Sequence, residues 1–190
     1  MKRLFFKLLF VSLLGIFSLQ CYADSRINFI SPSLKISFPK PNSIIQFFNA
    51  ESSGGTEGPG VEIYIQVPDK GNKYYSLYVG TISSSVTEIG TEIVSVFLND
   101  IGGTLGDELF VIVATQISHG GNTEGREYFT YVFENPGDRR VSSGLTQLVE
   151  IQKQIGGGFE GRIEGKRHYA PYTDANGVRA ILRKLGYLKQ

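Results

Sequence analysis

The sequence predicts a mainly β protein: an antiparallel two-sheet sandwich, with a barrel as the competing closure, followed by a C-terminal α-helical appendage. Three observations carry this expectation. Apolar residues between Arg26 and Glu134 follow period two or form short runs. Turn-forming residues interrupt them roughly every eight to twelve positions. A helical period is sustained only in the last fifty or so residues. A chain of 190 residues with 41% hydrophobic side chains is long enough to fill one core, and 19% charged residues argue against wholesale disorder.

Each element follows from its residues. Leu34, Ile36 and Phe38 alternate with Lys35 and Ser37, and Pro39-Lys40-Pro41 forces a break. Ser43 to Asn49 carries Ile44, Ile45, Phe47 and Phe48 and reads as a short buried strand. Glu51 to Gly60, with four Gly and a Pro, reads as a loop. Val61, Ile63, Ile65 and Val67 alternate with Glu62, Tyr64 and Gln66, the pattern of a strand with one buried face. The turn Pro68 to Asn72 leads into a strand from Tyr74 to Ile82. Ile93 to Leu98 and Leu109 to Thr115 are two more, the latter apolar on both phases and therefore central. Ser118 to Gly125 reads as a polar, Gly-rich loop, and Tyr128 to Phe133 closes a set of seven or eight strands.

The tail changes period. Leu145, Leu148, Val149, Gln152 and Ile155 share a helical face, with Ser142 or Ser143 as cap and Gly156 as stop. Gly156 to Gly165 reads as a loop or a ragged strand pair. A second helix begins near Thr173 or Asp174. Its stripe is Val178, Ile181, Leu182 and Leu185, with Gly186 placed as a C-cap and Lys184 near the negative end of the dipole.

The N-terminus reads as an export signal. Lys2, Arg3 and Lys7 precede a largely apolar stretch from Leu8 to Leu19, which spans roughly 18 Å as a helix, well short of a bilayer core. Cys21-Tyr22-Ala23 resembles an A-x-A cleavage site, so residues 1–23 are expected to leave with the only Cys. The remaining chain is Cys-free and has no Asn-x-Ser/Thr sequon, which fits a bacterial periplasmic, envelope or secreted protein. An uncleaved anchor and a lipidated Cys21 are the alternatives; Gln20 argues against the second.

Charge divides the rest. Residues 24–138, the expected sandwich, hold 6 basic and 14 acidic groups, net −8. Residues 139–190, the expected basic Gly-rich tail with two short helices packed on the sandwich, hold 10 basic and 4 acidic, net +6. One reading is that the tail lies on the sandwich with complementary charge. The other is that its basic face, with Arg162, Lys166, Arg167, Arg179 and Arg183, meets an anionic partner: a polymer or polysaccharide, an acidic protein face, or lipid headgroups in a peripheral membrane contact. The near-neutral total, +1, argues against nucleic acid. Oligomeric state is not legible.

Signals for catalysis are thin. Gly156-Gly157-Gly158-Phe159-Glu160-Gly161 satisfies G-x-G-x-x-G, but it follows a helix and opens none, so no cofactor is expected. His119, near Glu124 and Glu127, reads as a loop residue, and no metal site is expected. His168 belongs to the basic patch. Asp174-Ala175-Asn176-Gly177 lacks the later Glu of a calcium loop, so Asp174 reads as a helix cap. Glu62, Glu92, Glu108 and Glu127 lie on or beside strands. They leave open a paired-carboxylate glycosidase as the rival to a non-catalytic binding or assembly protein. The constellation favoured for binding is aromatic. If the strands of Val61 to Val67 and Tyr74 to Ile82 pair, Tyr64, Tyr74 and Tyr78 line one solvent face suited to sugar rings or a protein partner.

Two resemblances accompany these readings. The strand rhythm of residues 27–134 resembles bacterial extracellular immunoglobulin-like modules, without their Trp or disulfide; a jelly roll has a similar rhythm. Gly177-Val178-Arg179-Ala180-Ile181-Leu182-Arg183-Lys184-Leu185-Gly186-Tyr187 resembles the first helix of peptidoglycan-binding repeats. It lacks their Gln, and the sequence stops before their other helices, so it implies no function here.

Overall fold

A computed structural model describes residues 29–50, 60–82, 91–102, 105–139 and 141–188. The expected export signal, residues 1–23, and most of the loop expected between Glu51 and Gly60 lie outside the described residues. Two antiparallel sheets form the body. The first has the order β1 (Phe29–Ile36), β2 (Ser43–Ala50), β3 (Gly60–Pro68), β4 (Tyr74–Ile82). The second has the order β5 (Thr91–Asn99), β6 (Glu108–His119), β7 (Thr123–Phe133), β8 (Gly158–Ile163), β9 (Lys166–His168). They do not close into a barrel. Every hydrogen-bonded neighbour is also the next strand in the chain, so both sheets are meanders without the Greek-key crossings of an immunoglobulin domain.

Period two fixes what each strand buries. Ile45 and Phe47 of β2, Ile63, Ile65 and Val67 of β3, and Leu77 and Val79 of β4 face Leu109, Val111 and Val113 of β6 across the space between the sheets. The opposite phase of β6, Phe110, Ile112 and Ala114, points away from the sandwich into a second core with Tyr128 and Val132 of β7. That second core is roofed by α1 (Val149–Ile155) and α2 (Ala175–Lys184), which contribute Ile155, Val178 and Leu182. The molecule is therefore layered sheet, sheet, helices, and the doubly apolar β6 lies between the two cores, one phase in each.

Two sequence expectations are corrected, and one that offered two readings is decided. The segment Ser118 to Gly125 is mostly strand: β6 and β7 stay paired out to His119 and Thr123. Only Gly120, Gly121 and Asn122 turn, with positive φ at both glycines. Of the two readings of Gly156 to Gly165, loop or strand pair, the strand pair is the one that forms. β8 pairs with β7 from Tyr128 opposite Gly158 to Thr123 opposite Ile163, and Glu164-Gly165, both at positive φ, turn the chain into β9.

The second correction concerns α1, which begins at Val149 and not after Ser142 or Ser143. Residues 144–148 are extended instead, because two strand edges offer them backbone partners. Leu145 donates its N–H to the Val79 carbonyl at the rim of β4 (3.0 Å). Thr146 accepts from Glu134 N–H (2.9 Å), and Leu148 donates to the Val132 carbonyl of β7 (2.8 Å). Leu145 joins the inter-sheet core, and Val149 is left exposed. In α2 the buried stripe is Val178 and Leu182, with Leu185 largely exposed. Asp174 caps the helix by accepting Gly177 N–H at 2.8 Å.

Candidate functional site

The two outer faces of the sandwich differ. The second sheet carries helices; the outer face of the first carries no other element among the described residues. β3 and β4 pair with Tyr64 opposite Tyr78, after a register shift beside Ile63 that opposes Ile63 with Gly80. The two rings stand 5.2 Å apart at 47°, and Phe48 of β2 meets Tyr64 edge-on at 5.7 Å. Their hydroxyls are tied locally: Tyr64 donates to Glu62 at 3.3 Å, and Tyr78 shares a 2.6 Å bond with Thr81. Burial against its neighbours, with the Glu62 carboxylate next to it, pushes the Tyr64 phenol above its usual value.

Along the strands from this cluster, a polar row crosses all four strands. Gln66 donates to Gln46 and Ser76, and Gln46 donates to Ser33, each at 3.4 Å. Tyr74, opposite Pro68, stands at the far end and is 52% exposed. It forms one wall of an open groove of about 620 Å³ where the β1–β2 and β3–β4 turns lie side by side. Ile44 and Pro68 line it together with Lys35, Lys73, Asn42 and Asn72, and both asparagines hold positive φ. From Glu62 to Pro68 the face runs roughly 20 Å. Tyr64, Tyr74 and Tyr78 thus share one face as the strand phases suggested. Phe48, the glutamine row and the groove were not foreseen, although Phe48 stands in the outward phase of β2 with Ile44 and Gln46.

The basic residues do not form one cluster. Arg162 lies opposite Arg167 of β9 on one side and opposite Glu124 of β7 on the other. Lys166 is paired with Ile163 and points to the other face of that hairpin. Arg167 stacks on Tyr169 at 5.2 Å. Arg179 is on α2 above β5, its guanidinium 4.8 Å over Phe97 and 3.4 Å from Asn99 Oδ1. β5 and β9 are four strand spacings apart, roughly 19 Å, so Arg179 stands well away from Arg162 and Arg167. Arg183 is exposed one turn further along α2. The charge division along the chain is largely undone in space, since β8 sets Arg162 and Glu160 against Glu124 and Arg126.

The four carboxylates considered for catalysis share no groove. Glu62 faces out from the first sheet. Glu92 and Glu127 sit opposite Ala114 and Thr115, hence on opposite faces of the second. Glu108 is buried and accepts Ile101 N–H at 3.0 Å. Glu92 instead pairs with Arg126, whose guanidinium lies 5.8 Å over Tyr128. Burial raises the Tyr128 phenol; Arg126 opposes the shift, and Glu160, 3.5 Å from the hydroxyl, adds to it. The Gly156–Gly161 run leads from α1 into β8 and opens no helix, and His119 is exposed at the end of β6. Among the described residues no His/Cys/Asp/Glu group is placed to hold a metal, and no helix is long and apolar enough to cross a membrane. Searches of family models, curated proteins and solved structures find no match to this chain, so the reading of the site rests on its own geometry.

Proposed function

We propose that this protein is an exported, non-catalytic binding protein of the bacterial envelope or secreted fraction, and that the outer face of β1–β4 takes a polysaccharide chain. The observation that carries the reading is the contrast between the two sheets. One outer face is roofed by helices; the other presents Phe48, Tyr64 and Tyr78 in mutual contact, beside a row of amide and hydroxyl groups. Aromatic rings offer apolar faces to the C–H surface of a sugar, while amides and hydroxyls match its hydroxyl groups. The ring contacts and the local ties of both phenols fix the side chains before a ligand arrives, which lowers the ordering cost of binding. A protein partner is the competing occupant.

The experiment is affinity electrophoresis of the chain through gels containing a panel of bacterial and plant polysaccharides, with Tyr64→Ala and Tyr74→Ala variants. Retardation by at least one polysaccharide is expected, weakened about tenfold by each substitution. Retardation by none of them, together with a protein recovered by photocrosslinking from position 64, would assign the face to a protein partner instead. Export rests on the charged start, short apolar run and Cys21-Tyr22-Ala23; protein recovered outside the cytoplasm should begin at Asp24, and a membrane-held species retaining Met1 refutes that part.

A further inference from the structure

We infer that the groove at the Tyr74 end of this face is a subsite for a negatively charged sugar, so that the ligand is an acidic polysaccharide bearing carboxylates. The inference rests on the polysaccharide reading above and goes beyond it by fixing the ligand's charge and the end at which the charge sits. The face is electrically polarised along the strands. Its only acid among the outward residues of β2, β3 and β4 is Glu62, and that carboxylate is held by Tyr64 at the aromatic end. At the opposite end Lys35 and Lys73 flank the groove, and neither ammonium has an ion-pair partner among the described residues.

The groove's own acid, Asp69, accepts the Lys70 backbone N–H at 2.9 Å, which holds its carboxylate against the turn. Two cations against one partly engaged anion leave the groove positive. The lining matches a charged pyranose in other respects. Ile44 and Pro68 present apolar surface, and Tyr74 supplies an exposed ring. Asn42 and Asn72 each bring an amide that can donate and accept, from turn positions at φ 64° and 58° that set where the side chains start. A flat cationic patch would need none of these.

The test uses the mature full chain and three probes: tetragalacturonate, galactotetraose as its neutral counterpart, and tetraglutamate as an anion without sugar rings. Calorimetric titration should rank tetragalacturonate at least tenfold tighter than either. Lys35→Gln with Lys73→Gln should remove about tenfold of that affinity and flatten its dependence on salt, while the melting temperature stays unchanged. Both lysines are exposed, so folding is not at stake. Equal affinity for the charged and neutral sugars overturns the anionic subsite and leaves the polysaccharide reading standing. Tetraglutamate binding as tightly as tetragalacturonate overturns it in favour of a nonspecific cationic patch. Failure of all three probes to bind overturns the subsite as inferred, and the panel above then decides the broader reading alone.

Discussion

Replacing Gly125 with Ala puts a numerical test on the β extension. Gly125 and Gly161 face each other across β7 and β8, and the Phe159 ring lies over both. A Cβ at Gly125 would stand 2.5 Å from Phe159 Cζ and 2.8 Å from Gly161 Cα, and would press still closer on the Glu160 carbonyl oxygen. Carbon atoms rest about 3.5–4.0 Å apart, so β8 must retreat by about 1 Å. Overpacking of this kind costs about 1–3 kcal/mol. The φ at Gly125 is not in the left-handed region, so the substitution also gains about 0.4–1 kcal/mol by restricting the unfolded chain. The net loss of about 1–2 kcal/mol lowers the melting temperature of a chain this size by about 2–8 °C. Differential scanning calorimetry measures it, and amide exchange should quicken across residues 158–168 while β2 and β3 keep their protection. Adding Phe159→Ala should not restore stability, because two of the three obstructing atoms are backbone. An unchanged melting temperature with unchanged exchange in β8 and β9 would refute the reasoning.

Leu182→Ala should lower unfolding stability by about 2–5 kcal/mol, since Leu182 is fully buried between α2 and the second sheet; a urea midpoint within error of wild type would show that α2 is not docked there. Tyr172→Phe tests both a hydrogen bond and a titration. Its hydroxyl donates to the Gly156 carbonyl at 2.7 Å, so near neutral pH the variant should lose about 1 kcal/mol. Burial raises the Tyr172 phenol above its ordinary value near 10, with Thr130 opposing part of the shift. The unfolded chain then releases its proton first, so the wild type should lose stability as pH climbs above about 10, until the folded phenol ionises too. Denaturation midpoints at pH 8 and pH 11 should fall less for Tyr172→Phe, and identical falls would remove Tyr172 from the account.

How much the sequence disclosed varies with the physical signal each region carries. β3 and β4 were legible because one phase is apolar and the other polar, and the same arithmetic put Tyr64 and Tyr78 on one face. β2 is apolar on both phases, so Phe48 could not be assigned to the outer one. β8 was legible only as one of two readings of Gly156 to Gly165 because glycines carry no hydrophobic period; its pairing depends on close backbone approach at Gly125 and Gly161, a relation between distant parts of the chain. Leu145 and Leu148 fit a helical stripe, yet the rims of β4 and β7 supplied hydrogen bonds that a local period cannot register. The basic residues of the tail were grouped by sequence, and the meander separated Arg179 from Arg162 and Arg167. The groove was invisible for the same reason, since Lys35 belongs to β1 and Lys73 to the β3–β4 turn.

The extended stretch at residues 144–148 has a consequence for assembly. Each sheet is a run of hairpins that needs only its own neighbours, so the two halves can form in turn as the chain emerges. On the flank where the rims of β4 and β7 lie near one another, Phe133 packs beside Gly80, and among the described residues the chain bonds to both rims where Leu145 reaches Val79 and Leu148 reaches Val132. The chain fastens that flank like a zipper drawn shut late in synthesis. A product truncated before this point exposes two unpaired rims at once, the state most prone to edge-to-edge aggregation. The residues that close this flank also border the aromatic face of the first sheet, since Gly144 stands against the Tyr78 ring.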